Sequence, residues 1–280
     1  MKTRLAAALL LVPVPALAAG GAGASAPTQP ASRLQVAMTL YAGGITIGSM
    51  DLDATLRGAD YRAVSHLETK GVVNALWQAQ IQATASGTLG TGTLIPKLYD
   101  SFYSGPGGKK QEVSLSYESG APKLYADPVY STTGYDVKPE DSKASLDPLS
   151  AILLITSGVA AKNGDACALT APVFDGRRRY NIEMTRVRDI DVHMDNGLYA
   201  GKAVQCDIRY KQIAGFRPGV IKANESFPLI HAWIARFPSP VTGRDYTVPV
   251  RVWAQTKYGV MAVLATGVQV DGKAPAGVKN

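Results

Sequence analysis

Leu34-Gln35-Val36-Ala37-Met38-Thr39-Leu40 places its large apolar side chains at every second position, separated by Gln35, Ala37 and Thr39. Successive side chains of an extended strand point to opposite faces, so a period of two describes a strand with one packed and one wet face. The pattern recurs along the chain. Trp77, Ala79, Ile81, Ala83 and Ala85 alternate with glutamines and small polar residues, and Val113, Leu115 and Tyr117 stand against Glu112, Ser114, Ser116 and Glu118. Tyr180, Ile182 and Met184 face away from Asn181, Glu183 and Thr185, and Tyr246, Val248 and Val250 from Thr247, Pro249 and Arg251. Half-wet strands of this kind belong to antiparallel sheet.

Gly43-Gly44, Asp175-Gly176, Asn196-Gly197 and Asp271-Gly272 punctuate the strands as turns. The apolar phase slips from Ile45 and Ile47 to Met50 and Leu52, which places a β-bulge at Gly48. Pro249 marks either an edge strand or a bulged position. One segment leaves the period of two. Asp147 is a capping residue, Pro148 suits the first helical position, and Leu149, Ile152, Leu153, Thr156 and Val159 follow at helical spacing. The expected fold is mainly β, a strongly curved antiparallel sheet (an open barrel or β-spiral) wrapped around one buried helix near 147–161. A single domain over 33–270 is expected, with halves at 33–140 and 165–270 joined by the helix, and a tail at 271–280.

Residues 1–18 read as a cleavable secretory signal. Lys2 and Arg4 precede a short run rich in Ala and Leu, and Ala16-Leu17-Ala18 offers a cleavage site. A flexible leader of Gly, Ala, Ser and Pro is expected over 19–32. The expected location is the periplasm, where an oxidising environment favours a bridge between Cys167 and Cys206. Two inert, buried thiols are the alternative.

The whole chain of 280 residues carries a net charge of +7, is 46% apolar and has three His. That composition excludes a disordered chain and gives no nucleic-acid footprint. No hydrolase, zinc, P-loop, dinucleotide or redox motif is present. Catalytic residues, metal ligands and cofactors are therefore expected to be none. The densest feature is Arg177-Arg178-Arg179 after the Asp175-Gly176 turn. Alternation puts Arg177 and Arg179 on one face and Arg178 on the other. These arginines either pair with carboxylates such as Glu183 or contact an anion or a partner. Trp77, Tyr117, Tyr180, Tyr210, Trp233 and Trp253 either line a groove or fill the core.

Several stretches together resemble a bacterial exported family, the domain of unknown function 3108. They are Leu40 to Gly48, Thr69-Lys70-Gly71, Leu146 to Ala151, Val173 to Tyr180, Cys206, Ile213-Ala214-Gly215-Phe216 and Pro249-Val250. A looser similarity runs to alphaproteobacterial envelope-integrity proteins of β-spiral form. The resemblance implies an exported, β-rich protein with no assigned reaction. The expected function is a non-enzymatic cell-envelope protein binding an acyl chain, lipoprotein segment or peptide in the groove. A scaffold for another envelope protein is the alternative. A peptidoglycan hydrolase would need a carboxylate or His dyad in a cleft, and no motif supplies one.

Overall fold

The computed structural model describes residues 30–118, 121–131, 134–161, 164–223, 227–257 and 259–274. The signal expected at 1–18, the expected leader up to residue 29 and residues 275–280 of the expected tail lie outside the described residues. The chain begins with β1 (Ala31–Ala42), β2 (Ile45–Arg57) and β3 (Asp60–Thr69), then the short helix α1 (Gly71–Leu76). β4 (Gln80–Leu89), β5 (Leu94–Gly105), β6 (Lys109–Ser116) and β7 (Lys123–Asp127) complete the first half. Two helices follow, α2 (Pro139–Ser142) and α3 (Pro148–Thr156). The second half runs through β8 (Leu169–Phe174), β9 (Arg179–His193), β10 (Ala200–Ala214), α4 (Pro218–Ala223), β11 (Ile230–Pro238), β12 (Asp245–Thr256) and β13 (Gly259–Val270).

All thirteen strands form one antiparallel sheet, in the order β7-β6-β5-β4-β3-β2-β1-β13-β12-β11-β10-β9-β8. Neighbours in space are neighbours in sequence except at the β1–β13 seam, which joins the two halves. The edges, β7 and β8, do not pair, so the sheet is curved but not closed. Leu146 covers part of the β8 edge, donating from its N–H to the Pro172 carbonyl at 2.7 Å and accepting from the Phe174 N–H at 2.8 Å.

Bulges bend the sheet where the sequence indicated. Leu40 pairs with Gly48 and Tyr41 with Thr46, leaving Ile47 as the extra residue. A side chain at Gly48 would sit 2.7 Å from the Glu68 carbonyl oxygen, so glycine is required there. Trp233 pairs with Arg251 and Ile234 with Pro249, leaving Val250 as a second extra residue. Pro249 is thus a bulge proline and not an edge one. Pairing between β12 and β13 starts only at Arg251, so the missing proline N–H leaves no gap in that ladder. Tyr246, Thr247 and Val248 are all buried, against the expected alternation. Thr247 turns its hydroxyl to the Ile155 carbonyl of α3, which covers what would otherwise be the wet face.

α3 is the plug of the fold. None of its nine residues is exposed, and it packs against β3, β4, β5, β8 and β12. Asp147 caps it as expected, accepting from the Ser150 N–H at 2.7 Å and the Ser150 hydroxyl at 2.5 Å. With that proton given to the carboxylate, Tyr61 on β3 donates its hydroxyl to Ser150 Oγ at 2.7 Å. The helix ends at Thr156, five residues before the expected 161. Gly158 turns the chain at φ +69°, and a side chain there would lie 2.2 Å from the Asp245 carbonyl oxygen. Close approach of β12 therefore stops the helix.

Two domain boundaries also shift. Ser32, assigned to the leader, is fully buried in β1 and bonds Tyr246 OH at 2.8 Å and Ser239 Oγ at 3.0 Å. Asp271, assigned to the tail, accepts from Ser32 Oγ and the Arg33 N–H, each at 2.8 Å. A shared polar knot thus ties the first and last strands together at the β1–β13 seam.

Cys167 and Cys206 are bonded, with Cα atoms 5.6 Å apart, and link the segment before β8 to β10. Ala166, Met184, Ala232 and Ile234 enclose them in a small core of their own. A bridge across 39 residues is worth about 4 kcal/mol on the chain-entropy estimate. The double variant Cys167→Ala/Cys206→Ala is expected to lose about 2–5 kcal/mol in urea unfolding, and reductant is expected to bring wild type to the same level.

Burial pushes the Asp147 carboxyl up to about 6. The folded state therefore holds this proton more tightly than the unfolded chain, where the value is about 3.9. Its contribution to stability falls as pH rises from about 4 to about 6 and stays low above that. Asp147→Asn keeps the acceptor for Ser150 and cannot ionise. Its stability relative to wild type should rise by about 1–3 kcal/mol between pH 4.5 and 7.5, measured by urea midpoints.

Candidate functional site

The inner face of β3–β6 carries Leu67, Ile81, Ala83, Tyr99, Ser101, Tyr103 and Val113 towards α3. Between that face and Pro148, Leu149 and Ile152 of the helix lies a cavity of about 710 Å³. It is larger than the 570 Å³ cleft beside β1, β2 and the Gly197-Leu198 turn. Tyr130, Tyr180, Asp175, Arg177 and Arg178 complete its wall. Apolar and aromatic side chains dominate, and the charged groups all come from one turn.

That turn, between β8 and β9, is built by Asp175. Its Oδ1 accepts from the Arg177 N–H at 2.9 Å and the Arg178 N–H at 2.6 Å. Burial pushes the Asp175 carboxyl up, while these two N–H groups pull it down. Gly176, at φ +89°, touches the opposite half of the sheet: a side chain there would meet Val113 and Leu124 at 2.8 and 2.9 Å. Gly215 presses from behind, where a side chain would meet the Arg177 carbonyl oxygen at 2.1 Å. Two glycines thus clasp the turn between β6–β7 and the end of β10.

The turn also overrides the expected alternation of the arginines. β9 begins only at Arg179, so Arg177 and Arg178 both reach the cavity while Arg179 departs. Arg179 gives its guanidinium to the carbonyls of Asp141 and Tyr180 and to Asn181 Oδ1. Arg177 lies over the Tyr130 ring at 5.6 Å and Arg178 over Phe216 at 5.8 Å. Glu183, the expected carboxylate partner, instead faces Lys211 at 3.7 Å.

Of the six aromatics expected to line a groove, only Tyr180 lies around this cavity. Tyr210 backs it, with ring centroids 4.6 Å apart, and burial pushes the Tyr210 hydroxyl up to about 12. Tyr117 is half-buried, and its hydroxyl meets no partner among the described residues. Trp77 is 55% exposed at the end of α1, because β4 starts at Gln80 and the chain before it is helical. Trp233 and Trp253 lie elsewhere on the sheet, with the Arg251 guanidinium 4.9 and 5.0 Å from their rings. His231 stacks on Trp253 and meets Asp207 at 2.7 Å, and neither residue borders the cavity.

Residues 35–265 match the family described as "Protein of unknown function (DUF3108)". The chain belongs to that family. No curated protein matches this DUF3108 chain. A solved structure similar to it is the crystal structure of a beta-barrel-like protein of domain of unknown function DUF1849 from Brucella abortus. The two share 13% identity over 88% of this chain and 99% of the other, with a TM-score of 0.52. That likeness concerns the fold. Among the described residues of the DUF3108 chain, no helix is long and apolar enough to cross a membrane.

Tyr99, Tyr103 and Tyr130 were not singled out by the sequence. Tyr99, Ser101 and Tyr103 do share a face at period two, but Leu98 and Phe102 occupy the other face. With aromatic or apolar groups on both sides, hydropathy alone does not mark the inner one. Gly176→Ala should force the Asp175–Arg178 turn away from Val113 and Leu124. The expected result is a loss of about 1–3 kcal/mol in urea unfolding and a shifted Tyr130 ring environment by NMR.

Proposed function

We propose that this DUF3108 protein is a non-enzymatic periplasmic envelope protein that holds an apolar ligand against the inner sheet face. The observation that carries the reading is the 710 Å³ cavity between β3–β6 and α3. Small-molecule sites span roughly 300–1,000 Å³ and combine apolar walls with a few placed polar groups. The Cys167–Cys206 bridge supports an oxidising compartment, in line with the signal-like sequence at 1–18.

The scaffold alternative draws on β7. Among the described residues its five residues pair only with β6, and Tyr125 on it is 56% exposed, so a partner strand has an edge to join.

N-phenyl-1-naphthylamine, an uncharged probe that fluoresces in apolar surroundings, tests the cavity reading. Wild type should bind it saturably. Ser101→Trp, which fills the cavity, should weaken binding by about tenfold or more while leaving the circular dichroism spectrum unchanged. Absence of binding to wild type overturns the reading.

A further inference from the structure

We infer that the ligand is an amphiphile whose anionic headgroup, a carboxylate or phosphate, sits between Arg177 and Arg178 while its alkyl chain lies in the cavity. This rests on the apolar-ligand reading above and adds the chemistry of the head.

Four observations lead there. First, Arg177 and Arg178 both line one apolar cavity, and both come from a turn whose position is fixed by Gly176 and Gly215. Second, each guanidinium already rests on an aromatic ring, Tyr130 or Phe216, so little side-chain freedom remains to be lost on binding. Third, no ion pair engages either arginine among the described residues, whose arginine pairs involve Arg33, Arg186 and Arg236. Arg177 Nε is shielded from water and meets no acceptor. A shielded donor without a partner is costly, so a turn of the side chain that brings Nε to a ligand oxygen removes that cost. Fourth, the acidic residue at the site, Asp175, is held by two backbone N–H groups of its own turn. The Tyr135 hydroxyl is the other nearby group; it accepts from Arg217 Nε at 3.4 Å and is held below its usual range by Arg217 and Arg177.

The chemistry of this arrangement is directional. Paired guanidiniums beside an apolar channel favour an acyl chain ending in an anion over a neutral or cationic analogue. A peptide would meet the arginines with neutral carbonyl oxygens, weaker acceptors than a carboxylate or phosphate.

The test titrates the full chain with ten-carbon ligands below their micelle-forming concentrations: decanoate, decyl phosphate, decyl maltoside and decyltrimethylammonium. Either anionic ligand should bind about tenfold to a hundredfold more tightly than decyl maltoside, with the cation weakest. Decanoate against decyl phosphate tells a fatty-acid head from a phospholipid-type one, and preference for either supports the inference. Arg177→Gln/Arg178→Gln should remove the anionic advantage while N-phenyl-1-naphthylamine still binds, which shows the cavity is intact. Arg57→Gln, at an exposed position on β2, should retain the preference. Equal binding of all four heads, a preference surviving the double variant, or a peptide found in the cavity by native mass spectrometry overturns the inference. Failure of the uncharged probe on wild type would instead remove the cavity reading beneath it.

Discussion

A helix with no exposed residue has to be enclosed, and α3 imposes that condition on everything around it. Its ends are fixed by polar contacts, Asp147 at the start and the Thr247 hydroxyl near the finish, and its flanks by the inner faces of both halves. A flat sheet of thirteen strands offers one face to a helix. A curved one surrounds it. The bulges at Ile47 and Val250 supply local bending, and the β1–β13 seam makes the two halves one continuous wall.

Enclosure is incomplete on one side, and the cavity is what remains. Pro148, Leu149 and Ile152 approach the tyrosines of β5 without filling the space, and the β8–β9 turn reaches across from the other half to border it. The unpaired edges matter here. Because β7 and β8 do not join, the turn after β8 is free to pass inside the first half, where Gly176 meets Val113 and Leu124. A closed barrel would exclude that overlap and the arginines with it.

Much of this was legible in the residues. Period-two alternation located most strands, the phase slip marked the bulge at Gly48, and Asp147-Pro148 marked the start of α3. What the pattern missed shares a cause: contacts between segments distant in sequence. Helical spacing continues beyond Thr156, but the Asp245 carbonyl beside Gly158 ends the helix. Strand alternation should have split Arg177 from Arg178, but the Asp175 carboxylate wraps both into a turn. Trp77 looked like the first residue of a strand, yet it follows a helical turn, and Thr69 Oγ1 bonds the Trp77 carbonyl at 2.9 Å. A strand position alone does not say which face an aromatic takes, and of the six only Tyr180 faces the cavity.

The seam also sets an order of events. Every other strand pair forms between consecutive segments, whereas β1 must find β13 across more than two hundred residues, as Leu34 finds Val270. Loop-closure entropy makes that pairing the slowest to nucleate. A chain delivered from its N-terminus therefore holds one flank of its first strand open until its last strand emerges. Ser32, Tyr246 and Asp271 then meet in a single knot, a latch that closes only on a complete molecule.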